Sequence, residues 1–313
     1  MKKKFDITVI GGGPMGLYLA YLLSKKGYKV RIIESNSMAG GHARPFNFSS
    51  TLIEIFYHFF YKNDHYNAMK WLQSFSKKNL IKWKSIDTEI ITKNNKKKIN
   101  FDKTFEIIKL YKFSSIKIFF NLFLIYFFKI PNSISKETAI NWSNRKFGNK
   151  FTKEIWLPLL KGKFEKKWKT ISALWLATRI KRHLSTKSLL NKKSLFGYLI
   201  NTYLPTIDKN INYLMKRNSK IIYNSKIKNI IIKNNNIINI IKNKKIFISK
   251  DEKVISTIPL FSLKKIIKHK KLKYLEKFKG IGVILCIFKT KKKLSNSYWT
   301  TVSDELMPFN AII

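Results

Sequence analysis

Three glycines and one acid near the start of the chain have the types and the spacing that bind a dinucleotide. Gly11, Gly13 and Gly16 follow a short apolar run, and Glu34 comes 18 positions after Gly16. The first glycine allows a tight turn, the second lets the backbone approach a pyrophosphate, and the third lets a helix pack on a sheet. A carboxylate at the place of Glu34 accepts hydrogen bonds from ribose hydroxyls. These residues predict a nucleotide site; the alternative is a structural glycine turn in an unrelated α/β protein.

The segments around these residues are the elements that such a site needs. Residues 5–10 and 28–33 are apolar runs that predict two strands, and the second run ends at Glu34. Between them, apolar residues recur at helical spacing, and Pro14 and Met15 occupy the first turn, where a missing N–H is tolerated. The start of this helix would offer free N–H groups and a positive dipole end to phosphates. We therefore count Pro14 and Met15 among the cofactor-binding residues.

A second glycine pair, Gly40 and Gly41, follows the acid and precedes His42. A plain NAD-binding unit does not require this pair, whereas the flavoproteins with two dinucleotide-binding domains carry one. Its role would be close backbone approach to the phosphate and ribitol region of a flavin; the alternative is an ordinary glycine turn after a strand. Ser35 and His42 complete this part of the predicted site, with solvent exposure as the alternative for His42.

With these motifs the chain resembles the superfamily of FAD-dependent amine oxidases and protoporphyrinogen oxidases. The resemblance extends to five further segments, namely residues 53–58 (IEIFYH), 142–148 (WSNRKFG), 158–164 with 171–173 (PLLKGKF and ISA), 224–230 (NSKIKNI) and 254–259 (VISTIP). It implies an α/β fold, in which a Rossmann-type FAD-binding domain carries a mainly helical cap or substrate domain. It also implies that FAD is the cofactor and that Ile227, Thr257 and Pro259 contribute to its site.

The resemblance implies an FAD-dependent oxidoreductase that transfers hydride from an organic substrate to the flavin. Because the flavin carries the redox chemistry, the residues need not supply an acid–base pair or a nucleophile. His58 is the one catalytic candidate, with Glu54 a helical turn before it if that piece is helical; the alternative is a satisfied structural pair. The competing functions are a non-redox flavoenzyme like UDP-galactopyranose mutase and an inactive truncated remnant. Truncation is expected because residues 298–313 resemble an internal segment of the family.

The chain divides into four predicted segments. They are residues 1–62 and 206–260, which form the FAD-binding domain, residues 63–205, which form the mainly helical cap, and residues 261–313, which begin a substrate-domain sheet. Within them the patterns predict a helix over 64–84, a hairpin or loop over 92–99, and helices over 103–190 that break near Pro131, Gly148 and 158–162. Short strands are expected between 220 and 249, and another over 275–290.

The charge of the chain is extreme, with 63 basic and 17 acidic residues and a formal net charge of +46. A positive charge of this size suggests that the protein binds nucleic acid. Lysine, however, is scattered through every segment and rises together with Ile, Asn and Phe, as in residues 229–243 (NIIIKNNNIINIIKN). This pattern favours compositional drift, with an anionic membrane surface and nucleic acid as alternatives. The predicted partner is a small-molecule substrate and not nucleic acid, and the sequence does not indicate an oligomeric state.

The single cysteine, Cys286, excludes an internal disulfide and fits a reducing compartment, so a cytoplasmic location is expected. No metal is expected, because His58 and His65 lack acidic or cysteine company. The longest apolar run, 118–128, is too short to span a bilayer, which takes about 20 residues. It predicts a buried helix; the alternative is an interfacial segment in peripheral contact with a membrane, which the flanking Lys117 and Lys129 would favour.

Overall fold

The protein is described by a computed structural model that defines most of the 313 residues in two compact units. The described residues are 5–56, 58–61, 66–75, 81–91, 98–100, 104–185, 194–233, 236–241, 245–249, 251–278, 280–293, 297–302 and 307–313. The first unit comprises Met1–His58, Asn67–Ile81 and Leu199–Ile287, and the second comprises Phe59–Tyr66, Lys82–Tyr198 and Phe288–Ile313. The predicted domain boundaries stay a prediction.

Strands and helices alternate in the first unit, and helices dominate the second. The strands are β1 (Ile7–Ile10), β2 (Val30–Ile33), β3 (Pro45–Phe48), β4 (Thr51–Glu54), β5 (Phe60–Tyr61), β6 (Ile81–Ile86), β7 (Thr88–Ile91), β8 (Lys98–Asn100), β9 (Ser194–Leu199), β10 (Lys220–Ile222), β11 (Asn229–Lys233), β12 (Asn236–Ile241), β13 (Lys245–Phe247), β14 (Lys253–Ser256), β15 (Trp299–Val302) and β16 (Ala311–Ile312). The α-helices are α1 (Pro14–Lys25), α2 (Tyr66–Phe75), α3 (Thr104–Tyr111), α4 (Ser114–Phe127), α5 (Ala139–Phe147), α6 (Asn149–Phe151), α7 (Leu157–Phe164), α8 (Ala173–Leu184), α9 (Leu204–Met215) and α10 (Leu260–Ile266).

A parallel sheet of four strands, in the order β10-β2-β1-β14, is the centre of the first unit. Ile7 of β1 is in register with Val30 of β2 and with Lys253 of β14, and every residue of β1 and β2 is buried. Strands that are covered on both faces are mostly apolar, and the two buried polar residues of β1 and β2, Thr8 and Arg31, are bonded to each other. The carboxyl ends of these strands meet at one edge of the sheet, where Gly11, Glu34 and Thr257 follow directly.

Two layers cover this sheet. Helix α1 packs on β1 and β2 and against α9, where the Asn210 Nδ2 donates a hydrogen bond of 3.1 Å to the carbonyl oxygen of Leu17. The antiparallel strands β11, β12 and β13 close a core over Ile10 and Ile33, to which Ile230 and Ile240 contribute. The short strands expected between 220 and 249 are therefore confirmed where the structure describes them.

The second unit is built around a helical core. Its largest buried side chains include Ile118, Trp142, Phe147, Phe151, Ile155, Leu160 and Leu176. Helices α5 and α8 start alike, since Thr138 and Ser172 cap them by accepting hydrogen bonds from the backbone N–H three residues on. A four-stranded sheet in the order β16-β15-β7-β8 completes the unit. Among the described residues no helix has the length and apolar character that a bilayer crossing requires, and the longest, α4, has 14 residues.

Three expectations about local structure are wrong. The helix predicted over 64–84 ends at Phe75, and Ile81–Ile86 is strand β6, because its exposed lysines alternate with partly buried apolar residues. The break predicted at 158–162 is absent, since Pro158 lies in the first turn of α7, where proline fits a helix. The described residues 280–290 form no strand. The breaks at Pro131 and Gly148 are confirmed, and the hairpin predicted over 92–99 is the β7–β8 pair, with residues 92–97 outside the described residues.

Candidate cofactor site

The glycine turn after β1 is packed so tightly that a side chain at Gly11 or Gly16 would collide with neighbouring atoms. Gly11 has φ +101°, and its N–H donates to the carbonyl oxygen of Ile33 at 2.9 Å. A Cβ at Gly11 would lie 2.9 Å from Ile258 Cγ2, and a Cβ at Gly16 would lie 2.0 Å from the Gly11 carbonyl oxygen. Gly11 and Gly16 are thus required by the packing of the turn, whether or not a ligand is bound.

Gly13 differs from these two glycines, because the space beside it is open. It precedes α1 with φ −69° and ψ 178°, a conformation that any residue adopts, and a Cβ there would meet nothing nearer than Gly41 Cα at 4.0 Å. Packing therefore gives no reason for a glycine, whereas the close approach of a ligand does. The first N–H groups of α1, at Met15 and Gly16, have no acceptor within the helix, and such groups can donate to an anion, while the side chain of Met15 is exposed.

The second glycine pair lies against the first turn. The N–H of Gly40 donates to the carbonyl oxygen of Gly12 at 2.8 Å, and a Cβ at Gly41 would lie 3.2 Å from Gly13 Cα. Gly40 has φ +113° and Gly41 has φ +54°, a region that favours glycine. The open space beside Gly13 is therefore lined by backbone from both glycine motifs, as a cradle for a phosphate group requires.

Glu34 is buried at the tip of β2 and accepts four hydrogen bonds from the protein. Its Oε2 accepts from the Gly12 N–H at 2.7 Å, and its Oε1 accepts from Asn36 N at 2.9 Å, Asn36 Nδ2 at 2.8 Å and Ser35 Oγ at 3.1 Å. Each carboxylate oxygen has about two acceptor positions, so Oε1, which accepts three of these bonds, is saturated, whereas Oε2 accepts one. A ribose hydroxyl could reach Oε1 only where a side chain of Ser35 or Asn36 withdraws.

The loop after β10, which contains the start of the segment 224–230, closes over the same strand ends. Ser225 N donates to the Glu34 carbonyl oxygen at 2.8 Å, and Asn224 N donates to that of Asn36 at 3.0 Å. The pKa of Tyr223 is raised, first by burial and then by the carboxylates of Asp208 and Glu34. Ile227, which the resemblance places in the FAD site, packs in the core with Ile10 and Ile33. Only its place after this loop connects it to the site.

Thr257 holds the glycine turn from the side of β14, and Pro259 follows two residues later. The Thr257 hydroxyl donates to the carbonyl oxygens of Ile10 at 2.9 Å and Gly11 at 3.1 Å, and its N–H donates to that of Ile10 at 2.9 Å. Pro259 is the residue before α10. Thr257 is thus placed beside the predicted site, and its observed contacts are with the protein backbone.

His42 and His58 have different partners, the ring of Phe56 for His42 and the carboxylate of Glu54 for His58. His42 is exposed, and its ring centroid is 5.3 Å from that of Phe56. The Nδ1 of His58 is 3.2 Å from Glu54 Oε2, although Glu54 ends strand β4, so the helical arrangement considered for the pair is wrong. The pair itself forms because the chain bends after β4.

Tyr203, which was not predicted, completes the cluster around His58. Its ring meets the His58 ring edge-on at 5.4 Å, and Trp71 stacks on it at 6.2 Å. The pKa of Tyr203 is raised, first by burial and then by the Glu54 carboxylate. Ile207, the next turn of α9, fills the space over Gly40, with its Cδ1 2.7 Å from where a Cβ would be. The start of α9 therefore links the His58 cluster to the glycine turns.

The part of the chain that the structure describes contains no group of three His, Cys, Asp or Glu side chains that could hold a metal ion. Arg31 and Glu252, by contrast, form a buried ion pair at 2.5 Å, in which Glu252 also accepts from the Thr8 hydroxyl. This pair crosses from β2 to the start of β14 and stabilises the sheet away from the glycine turn.

Comparison with known proteins identifies the first part of the chain. A family model described as an NAD(P)-binding Rossmann-like domain matches residues 9–75. A ferredoxin–NADP reductase of Lysinibacillus sphaericus is 49% identical over 41 residues, and one of Streptococcus pyogenes is 54% identical over 39 residues. These matches span 13% and 12% of this chain, and only 12% of the length of each reductase.

Solved structures resemble the chain over nearly its whole length. Reduced UDP-galactopyranose mutase has a TM-score of 0.66 at 14% identity, covering 98% of this chain and 69% of that one. An oxidoreductase from Methanosarcina mazei has a TM-score of 0.59 at 18% identity, covering 83% and 60%. Putrescine oxidase bound to putrescine has a TM-score of 0.61 at 14% identity, covering 87% and 63%. At these identities the likeness shows a shared fold, and it confirms the expected α/β class and the expected resemblance to the amine oxidase fold.

Proposed function

We propose that this chain, which has an NAD(P)-binding Rossmann-like domain and the fold that putrescine oxidase and UDP-galactopyranose mutase share, is an FAD-dependent oxidoreductase. Its reaction would be the transfer of hydride from a small organic substrate to the flavin, as in amine oxidases and protoporphyrinogen oxidases. The names of the similar proteins support an oxidoreductase that binds a flavin or a nicotinamide. A cytoplasmic location stays part of the proposal.

The observation that carries the proposal is the open space beside Gly13. The conformation of Gly13 does not require glycine, and the backbone of Gly41 faces it at 4.0 Å from the place of a Cβ. Such a cradle fits a pyrophosphate, whose oxygens would accept hydrogen bonds from the first N–H groups of α1. The second glycine pair is what favours a flavin dinucleotide over a plain nicotinamide one. When bound, FAD supplies the electron-accepting ring.

The residues of the chain would bind and orient the cofactor. Gly13 and Gly41 admit the pyrophosphate, and the N–H groups of Met15 and Gly16 bind it. Glu34 would keep its bond to the Gly12 N–H through Oε2 and exchange a side-chain donor on Oε1 for a ribose hydroxyl. This exchange conserves the number of hydrogen bonds to the carboxylate.

His58 is proposed as the polar group nearest the reacting end. Because Glu54 holds Nδ1 by a hydrogen bond, Nε2 is the ring nitrogen that would face a substrate. Tyr203 limits the rotation of the ring from its edge. His58 could then position a substrate N–H or O–H group, and its proton would remain on Nδ1.

A second candidate is a non-redox flavoenzyme, and the match to reduced UDP-galactopyranose mutase, which covers 98% of this chain, favours it. The two candidates need the same cofactor site and differ in what happens to electrons. Turnover of a substrate without any electron acceptor would support the second, and substrate-dependent bleaching of the flavin that oxygen or a dye reverses would support the first.

The first experiment is the visible absorption spectrum of the purified and desalted chain. A flavin spectrum that survives desalting supports the proposed site, and Gly13→Ala should lose it. Gly282→Ala is the matched control, because a Cβ there meets nothing within 4 Å and Gly282 lies far along the chain from the glycine turns. A folded, colourless protein that also fails to take up added FAD would contradict the proposed function of this chain.

A further inference from the structure

Helix α4 in the second unit presents a row of large apolar side chains to the outside. We call Phe113, Ile116, Phe120, Phe123 and Phe127 the outer stripe; between 54% and 89% of the surface of each is exposed. Their spacing of three and four residues places them on one face of the helix. None of these side chains carries a polar atom, so the outer stripe offers neither a hydrogen-bond donor nor an acceptor.

The opposite face of α4 fixes the helix in the unit. Ser115, Ile118, Asn121 and Ile125 are buried, and the Asn121 Nδ2 donates to the carbonyl oxygens of Lys117 and Lys146, both at 2.9 Å. At 100° per residue the outer stripe occupies an arc of roughly 80°, and at 1.5 Å per residue it is about 21 Å long. The core therefore needs only one side of α4 and leaves an apolar ridge on the other.

The size of this ridge exceeds what scattered apolar surface residues produce. Aromatic side chains bring about 150–250 Å² each, so the four phenylalanines, all more than half exposed, present roughly 500 Å², to which Ile116 adds. Continuous apolar patches of a few hundred Å² on a protein surface mark contacts with another molecule. The outer stripe thus has the extent of a docking surface.

The charged side chains of the segment that carries the outer stripe are all lysines. Residues 107–136 contain no aspartate or glutamate and five lysines, all exposed, at 109, 112, 117, 129 and 136. A second copy of this chain would bring its own +46 charge against them, which opposes pairing through this face. The partner that the charges fit is anionic, and the partner that the outer stripe fits is a hydrocarbon without polar groups.

We propose that the outer stripe docks on the surface of an anionic lipid bilayer. The phenylalanines would enter the boundary between headgroups and acyl chains, and the lysines would meet the anionic headgroups. Basic residues near such a surface are attracted to it, so the five lysines add an electrostatic attraction to the insertion of the apolar ridge. Since α4 has 14 residues, it would lie in the plane of the bilayer and not cross it.

The test is co-sedimentation of the full chain with vesicles. One preparation contains phosphatidylcholine alone, and in the other about one third of the lipid is phosphatidylglycerol. We expect binding to the second only, and a loss of at least about tenfold in the variant Phe120→Ser/Phe123→Ser, which removes roughly half of the inserted apolar surface. The matched control is Phe278→Ser/Phe288→Ser, which removes two exposed phenylalanines elsewhere and should bind like the wild type.

Two further results separate docking of the outer stripe from general adhesion of a basic protein. A tryptophan placed by Phe120→Trp should be quenched by lipids brominated in their acyl chains; no quenching would overturn the proposal, as would equal binding by the stripe variant and its control. Sedimentation velocity without lipid tests whether a second copy of the chain binds to the outer stripe instead. A wild-type dimer that becomes monomeric in Phe120→Ser/Phe123→Ser would assign the stripe to a second copy and overturn lipid docking. Neither measurement depends on flavin binding, so it is separate from the proposed function.

Discussion

Replacement of Gly13 by alanine should separate cofactor binding from folding. Gly13 has φ −69° and ψ 178°, which alanine adopts without strain, and the new Cβ would be 4.0 Å from the nearest atom, Gly41 Cα. At the N-cap of a helix, alanine makes the folded state about 0.5–1 kcal/mol less stable than glycine does. Alanine also loses less conformational entropy on folding, which makes the folded state about 0.4–1 kcal/mol more stable. The two effects oppose each other, so the free energy of unfolding should change by less than about 1 kcal/mol.

The same methyl group should strongly weaken cofactor binding. It would occupy the space in which a pyrophosphate approaches the N–H groups of α1, and hydrogen bonds to a charged group contribute about 1.5–3 kcal/mol each. Loss of two such bonds amounts to at least about 3 kcal/mol, or about a hundredfold in the Kd for FAD. Titration of the protein with FAD, followed by quenching of the flavin fluorescence, gives the Kd; urea unfolding followed by circular dichroism gives the stability.

The reasoning would be refuted in either of two ways. Gly13→Ala could fold normally and bind FAD within about threefold of the wild-type Kd, a difference of under 1 kcal/mol, and the phosphates would then not lie at this turn. Alternatively, the variant could lose several kcal/mol of stability, which would show that the space beside Gly13 is not open in the folded chain. Added ADP should compete with FAD in the wild type if the pyrophosphate and adenosine moiety is what the turn binds.

Three more perturbations follow from contacts in the first unit. Gly16→Ala should destabilise the fold by about 3 kcal/mol or more, because its Cβ would be 2.0 Å from the Gly11 carbonyl oxygen, and urea unfolding should show a lower midpoint even without FAD. Glu252→Ala should cost about 3–5 kcal/mol by the same assay, because it leaves Arg31 buried without this partner; a change below about 1 kcal/mol would mean that the pair is solvated. The raised pKa of Tyr203 keeps its phenol neutral in the folded state, so its contribution to stability is complete below the unfolded pKa of about 10 and is lost as the pH rises above it. Tyr203→Phe should therefore flatten the decline in stability between about pH 10 and 11.5, and an unchanged slope would contradict the burial of this phenol.

The local part of the site could be predicted from the sequence because its residues lie close together in the chain. The turn from Gly11 to Gly16, the helix after it and the strand ending at Glu34 each follow from spacing and residue type. The spacing of residues in the sequence does not show which hydrogen-bond partner each side chain has. Glu34 has its place at the tip of β2 as expected, while its saturation by Ser35 and Asn36 depends on side-chain orientation that no pattern encodes.

The remaining parts of the site come from distant chain segments. Tyr203 and Ile207 reach His58 and Gly40 from about 150 positions away, and Thr257 reaches Gly11 from 246 positions away. Such contacts are set by tertiary packing, and the sequence around Tyr203, Ile207 and Thr257 does not indicate them. Two of the wrong predictions of local structure have local causes. Strand β6 is short, so its alternation of buried and exposed residues does not outweigh the helical pattern before it. Pro158 predicts a helix break, but a proline fits the first turn of a helix.

The pairing of β1 with β14 has a consequence for how the protein is made. Ile7–Ile10 leave the ribosome well before Lys253–Ser256, their partner on one side, and the threonine that holds Gly11 comes directly after that later strand. At a synthesis rate of about 5–20 residues per second, the first strand waits roughly 12–50 seconds for its neighbour. During that time its apolar edge is open to other chains. The glycine turn therefore forms late in synthesis. The yield of folded protein in a cell should depend on how well the emerging strand β1 is protected.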